Sequence, residues 1–200
     1  MTIRSFISIE LSDDIRRSMA DLIAELRKAG ADVTWVPAEK IHLTLKFLGN
    51  TDESLIPKIK ERISNKLLHY NAFYINISGI GCFPSEKRPR VLWVGIERSD
   101  ILQSIQKEID TEVAGLGFAR EDRPFSPHLT IGRVRSQKGV AEMLRRFAEF
   151  RTTDFGAVEV KSIHIMKSEL KPAGAEHTSL AEIPIGRGRK DVEGIEQRTE

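Results

Sequence analysis

From Ser5 to Leu11 the chain is dense in β-branched and aromatic residues, which predicts a strand. Ser12 then offers an N-cap, with Asp13 and Asp14 placed to complement the positive end of a helix. Ile15, Met19, Leu22, Ile23 and Leu26 recur on one helical stripe, and Gly30 ends it. The same two periods continue down the chain. Strands are predicted over 33–36, 41–48, 73–83, 90–96, 128–135, 155–160, 162–170 and 177–183. Helices are predicted over 52–69, 100–116 and 138–150, the first with Pro57 near its start, where proline is tolerated. Gly49-Asn50 reads as a turn, Asp100 with Gln103 has capping-box spacing, and Lys171–Ala175 reads as a hairpin turn. After Ile185 the sequence is polar and without periodicity. A domain over 1–185 followed by a disordered tail over 186–200 is therefore expected.

Strands alternate with helices until the last three strands, which are consecutive. That order argues for an α+β fold with largely antiparallel sheets. The two halves of the chain also repeat a pattern, each with a helix, a strand beginning at histidine, and a second amphipathic helix. The expected architecture is bilobal, with two pseudo-symmetric antiparallel sheets facing a central cleft and helices on the outside.

The histidine strands carry the candidate chemistry. His42-Leu43-Thr44-Leu45 returns as His128-Leu129-Thr130-Ile131. Residues i and i+2 of a strand share a face. His42 with Thr44, and His128 with Thr130, should therefore line the cleft, with Leu43, Leu45 and Phe47 on the opposite, buried face. One imidazole can accept a proton while the other donates one, and the hydroxyls can hydrogen-bond phosphate oxygens. Strict alternation also carries Lys46 to the His42 face. It carries Arg133 away from the His128 face unless the strand bulges there. Lys87 and Arg88 lie on a polar loop over 84–89, with Arg90 just beyond it. His69, His164 and His177 read as structural or surface residues, and Trp35 as core. The competing reading of both tetrads is a pair of buried strands with a core-lining histidine each.

Composition narrows the choice. Forty per cent hydrophobic and 30% charged residues describe an ordinary globular chain, and a net charge of +2 excludes a basic nucleic-acid arm. The single cysteine, Cys82, cannot form an internal disulfide, which suits the cytoplasm. No apolar run approaches membrane-spanning length. Neither a zinc motif, nor a G-x-S-x-G elbow, nor a phosphate loop is present, so no metal or other cofactor is expected.

The segments "IHLTLKFLGN" and "RPFSPHLTIGRV" resemble the two-histidine (2H) phosphoesterase superfamily. More closely, they resemble its RNA 2',3'-cyclic phosphodiesterases, also called 2'-5' RNA ligases. The resemblance extends to "SFISIEL" and "TWVPAEK" and covers nearly all of the chain to Ile185. It implies metal-independent hydrolysis of a terminal 2',3'-cyclic phosphate on RNA to a 2'-phosphate, with reversible 2'-5' joining of tRNA halves in some members. It implies that His42 is proton donor and His128 proton acceptor, that Thr44 and Thr130 hold the phosphate, and that Arg133 binds substrate beside them. Lys46, Arg88 and Arg90 complete the expected substrate-binding set, in a cytoplasmic monomer with no membrane contact. The alternatives are a 2H phosphodiesterase for a small cyclic nucleotide and a non-catalytic RNA-binding module.

Overall fold

The computed structural model describes residues 1–171 and 174–186. Its elements run β1 (Thr2–Glu10), α1 (Asp13–Arg27), β2 (Val33–Trp35), β3 (His42–Asp52), α2 (Ile56–Leu67), β4 (Phe73–Phe83), β5 (Val91–Ile96), α3 (Asp100–Ala114), β6 (His128–Val134), α4 (Val140–Ala148), β7 (Asp154–Val160), β8 (Ser162–Lys171) and β9 (Gly174–Pro184). Single 3-10 turns at Ala38–Lys40 and Glu53–Leu55 lead into β3 and α2. Ser12 caps α1, its hydroxyl accepting from the Ile15 amide at 3.5 Å.

Several local expectations are corrected. Gly49-Asn50 is not a turn. Gly49 takes a left-handed φ of 69°, a bulge forms opposite β1, and β3 continues to Asp52. The cap of α3 is Ser99, which accepts from the Leu102 amide at 3.2 Å, one residue before the expected box. Ile101 is exposed, and Gln106 takes a buried place on the inner face of that helix. β9 starts at Gly174, paired with Lys171, so the hairpin is tighter than expected. Residues 172–173 of that turn and 187–200 of the expected tail lie outside the described residues.

The strands form one curled antiparallel sheet in the order β7-β4-β5-β6-β3-β1-β8-β9, with β2 beside β6. It consists of two halves, β7-β4-β5-β6 and β3-β1-β8-β9, joined by one registered pair, Leu43 against Leu129. These halves are not the two halves of the sequence. The early strands β1 and β3 are completed by the last two, β8 and β9. Ile7, Ile9, Leu43, Leu45, Leu92, Val94, Leu129 and Ile131 form a continuous buried aliphatic face, covered by the helices. The polar halves of the same strands are left on the concave side.

Both histidine strands carry a bulge at the last residue of their tetrads. Ser8 pairs with Thr44 but Ile7 pairs with Lys46, so Leu45 is the extra residue. Trp93 pairs with Thr130 but Leu92 pairs with Gly132, so Ile131 is the extra residue. A one-residue insertion reverses the alternation beyond it. Lys46 is thereby turned into the interior, where it is 5% exposed, and Phe47 is turned outward, where it is 65% exposed. Helix α3 braces this bulge. The Gln106 side-chain amide donates to the Leu45 carbonyl at 3.4 Å. Lys46 Nζ donates to Asp110 at 2.6 Å and to the Ala119 carbonyl at 2.7 Å.

A buried ion pair is costly to break from one side, because the surviving charge is left unpaired. Asp110→Ala should therefore destabilise the fold by about 3–5 kcal/mol in urea unfolding. The double replacement Lys46→Met with Asp110→Leu should recover most of that loss. An Asp110→Ala variant with an unshifted midpoint would contradict the bracing role.

Candidate active site

Antiparallel register at Leu43/Leu129 fixes what stands beside what on the concave face. His42 lies opposite Thr130, and Thr44 opposite His128. The two imidazoles occupy one diagonal of this square and the two hydroxyls the other. Diagonal neighbours in an antiparallel pair lie roughly 7–8 Å apart, a span that a phosphate can bridge between two side chains. All four residues are half-buried.

Each ring is oriented the same way. His42 Nδ1 lies 2.9 Å from the Lys40 carbonyl, and His128 Nδ1 lies 2.8 Å from the Ser126 carbonyl. A carbonyl only accepts, so each Nδ1 carries a proton and each Nε2 is the nitrogen free for chemistry. In both cases the carbonyl belongs to the residue two places earlier. On the His42 side the turn that carries this carbonyl is secured one residue earlier. Arg16 donates to the Glu39 carbonyl at 2.8 Å and to the Leu11 carbonyl at 3.0 Å, tying α1 to the turn that carries Lys40.

Aromatic rings hold the imidazoles from the side. Phe6 stacks on His42 at 4.7 Å and 24°, and His177 meets His42 edge-on at 5.2 Å. Phe83 meets His128 edge-on at 5.1 Å, and Trp93 lies 6.4 Å away. Trp93 can take that place because its strand partner is Gly81, where a Cβ would fall 2.2 Å from the indole. Phe6, His177, Phe83 and Trp93 were not singled out for the site from the sequence. For Phe6 the signal was there, since it alternates with Ser8 and Glu10 in β1.

The remaining candidates divide. Lys46 is removed from the substrate-binding set: the bulge commits its ammonium to Asp110 inside the protein. Arg133 is brought to the concave face by the second bulge, where it is exposed and paired with Val91. It occupies the place on β6 that Phe47 occupies on β3, five residues beyond its histidine. Arg88 and Arg90 are exposed, on a loop that leaves β4 at Phe83. The Arg90 amide donates to the Phe83 carbonyl at 2.7 Å, and its carbonyl accepts from the Val134 amide at 3.0 Å. Arg90 thus lies across from Val134, next to the Val91–Arg133 pair. Within the loop, Glu86 is held by Arg151 through both carboxylate oxygens.

Burial pushes the His42 pKa below its ordinary value; the Lys40 carbonyl acts against this, and His177 adds to it. Burial and Lys40 push His177 down as well. Among the described residues, no three His, Cys, Asp or Glu side chains converge as a metal-binding group, and no helix is long and apolar enough to cross a membrane.

A family model described as the 2'-5' RNA ligase superfamily matches residues 12–172. The chain is 32% identical over 180 residues to a Methanothermobacter thermautotrophicus protein named RNA 2',3'-cyclic phosphodiesterase, covering 90% of this chain and 97% of that one. It is 34% identical over 185 residues to a protein of the same name from Thermotoga maritima, covering 92% and 97%. The fold matches a crystal structure of a Thermus thermophilus protein with a TM-score of 0.76 at 25% identity, over 93% of this chain and all of that one. It matches Escherichia coli LigT complexed with 3'-AMP with a TM-score of 0.75 at 21% identity, over 94% of this chain and all of that one.

An anion seated between the rings favours the imidazolium form. Saturating inorganic phosphate should therefore raise the pKa of His42 from its lowered starting point, followed by NMR titration of the ring. An unmoved titration curve at saturation would contradict an anion site at this ring.

Proposed function

We propose that this chain, which belongs to the 2'-5' RNA ligase superfamily, hydrolyses the terminal 2',3'-cyclic phosphate of RNA to a 2'-phosphomonoester. The observation that carries the reading is the diagonal placing, about the Leu43/Leu129 pair, of two imidazoles whose Nδ1 atoms are each held by a carbonyl. His128 Nε2 takes a proton from water as the oxygen attacks phosphorus. The bond from phosphorus to the ribose 3' oxygen breaks, and imidazolium His42 gives that oxygen its proton. General acid–base help of this kind is worth roughly 10²–10⁴ in rate.

His42 enters the reaction charged. Its lowered pKa leaves it neutral in the free protein at neutral pH, and the substrate's phosphate restores the proton. Thr44 and Thr130 donate to the non-bridging oxygens, with Arg133 adding charge from β6. These donors are in place before the charge develops. Phe47, exposed on the same face, stacks under the terminal base, and Arg88 and Arg90, beyond the His128 rim, meet the phosphates of a second RNA strand that brings a 5' hydroxyl to the site. If a 5' hydroxyl takes the place of water, the same groups form a 2'-5' bond, and tRNA halves have the ends this requires. This reading describes a cytoplasmic monomer, with Cys82 unpaired and its thiol pushed up by burial.

Purified protein in EDTA should open the cyclic end of an RNA oligomer and leave a 2'-phosphate. His42→Ala and His128→Ala should each lower kcat by about 10²–10⁴. Full activity in either variant, or a 3'-phosphate product, would contradict the assignment. Phe47→Ala should raise KM about tenfold with little change in kcat, as expected for loss of one base stack. An equal fall in kcat and kcat/KM would instead place Phe47 in the chemical step.

A further inference from the structure

The concave face does not end at His42. A groove of about 430 Å³ opens on the side of this ring turned toward β1, β8 and β9, and neither His128 nor either tetrad threonine borders it. Its walls hold polar groups that the fold leaves unused. Ser8 is wholly buried in β1, in register with Thr44 and His164, and its hydroxyl has no hydrogen-bond partner. The Nδ1 of His177 is also buried without a partner. Buried polar groups are ordinarily satisfied, and two orphans bordering one groove are a departure that calls for an occupant.

The groove's charges point the same way. Glu176 is held by Lys171, and Glu10 faces Arg16, which is also bound to the carbonyls of Leu11 and Glu39; the Glu39 carboxylate, at the outer edge of the lining, has no ion-pair partner among the described residues. Among the described residues, Lys40 is the cation of this groove without an ion-pair partner. It lines the groove together with His177 and Glu176, and its charge acts on both. Met166 and the rings of His42 and His177 supply flat apolar surface. A free cation, a free hydroxyl, a free ring nitrogen and a flat wall together match a ribose with its phosphate.

We propose that this groove is the subsite for the penultimate nucleotide of the RNA, with Lys40 meeting the phosphate that joins it to the terminal ribose and Ser8 and His177 meeting its sugar. The inference rests on the role given to His42 above. A donor to the departing 3' oxygen must adjoin the terminal ribose, and the strand leaves that ribose from its 5' carbon. Beyond His42, this groove is the concavity that receives it. The enzyme therefore reads at least two nucleotides, and a cyclic mononucleotide leaves the groove empty.

The test compares kcat/KM for a cyclic-phosphate-ended trinucleotide with that for the matching cyclic mononucleotide. The wild-type protein should favour the trinucleotide by at least about tenfold, the scale of one charge-assisted contact. In Lys40→Met and in Ser8→Ala this ratio should collapse toward one, and His177→Phe, which keeps the ring, should reduce it. Binding of the corresponding 2'-phosphate products, measured without turnover, should show the same loss of length preference. A wild-type ratio near one would overturn the subsite. So would variants that lose both substrates equally, because these groups would then serve His42 and not the strand. Failure of the wild-type protein to open either substrate is a different result, and it strikes the proposed reaction itself.

Discussion

One contact, Leu43 against Leu129, decides the geometry of the site. It is the registered pair between β3 and β6, and through it the two halves of the sheet meet. Both side chains are fully buried in the aliphatic layer under the helices. The register of a strand with one buried face is strongly specified, because a slip of one residue would expose that whole face. Burying these two leucines opposite each other therefore also places His42 beside Thr130 and His128 beside Thr44. The hydrophobic effect sets the spacing of the four polar residues, which inherit it.

The bulges that close the tetrads do the complementary work. They let the strand leave the strict two-residue period at the point where the core needs Lys46 or Gly132 and the cleft needs Phe47 or Arg133. The result is asymmetric in a useful way. One half presents an aromatic plane and the other a guanidinium, at equivalent places relative to their histidines. The cost of burying Lys46 is offset by Asp110 and the Ala119 carbonyl. Helix α3 thus carries part of the responsibility for the shape of a strand on the site.

Much of this was legible in the chain. Apolar stripes located the four helices, and the tetrads announced the two histidine strands. What escaped was anything that depends on two strands at once. The bulges follow from how β3 fits β1 and how β6 fits β5, so strict alternation misplaced Lys46 and Phe47 and left Arg133 undecided. His177 lies 135 residues from His42 in sequence. Its role as a wall of the His42 cage follows from β9 joining the first two strands by way of β8, a connection no local pattern encodes. The exchange of strands between halves was hidden for the same reason, since a tandem repeat in sequence suggests a tandem repeat in space.

In the proposed reaction both imidazoles address one phosphorus from opposite sides. The most direct measurement is a crystal structure with uridine vanadate, which mimics a five-coordinate phosphorus. Vanadium should be seated above Leu43 and Leu129, one apical oxygen within hydrogen-bonding distance of His42 Nε2 and the other of His128 Nε2. Vanadate bound to a single histidine, or with both rings on its equatorial oxygens, would contradict that reaction.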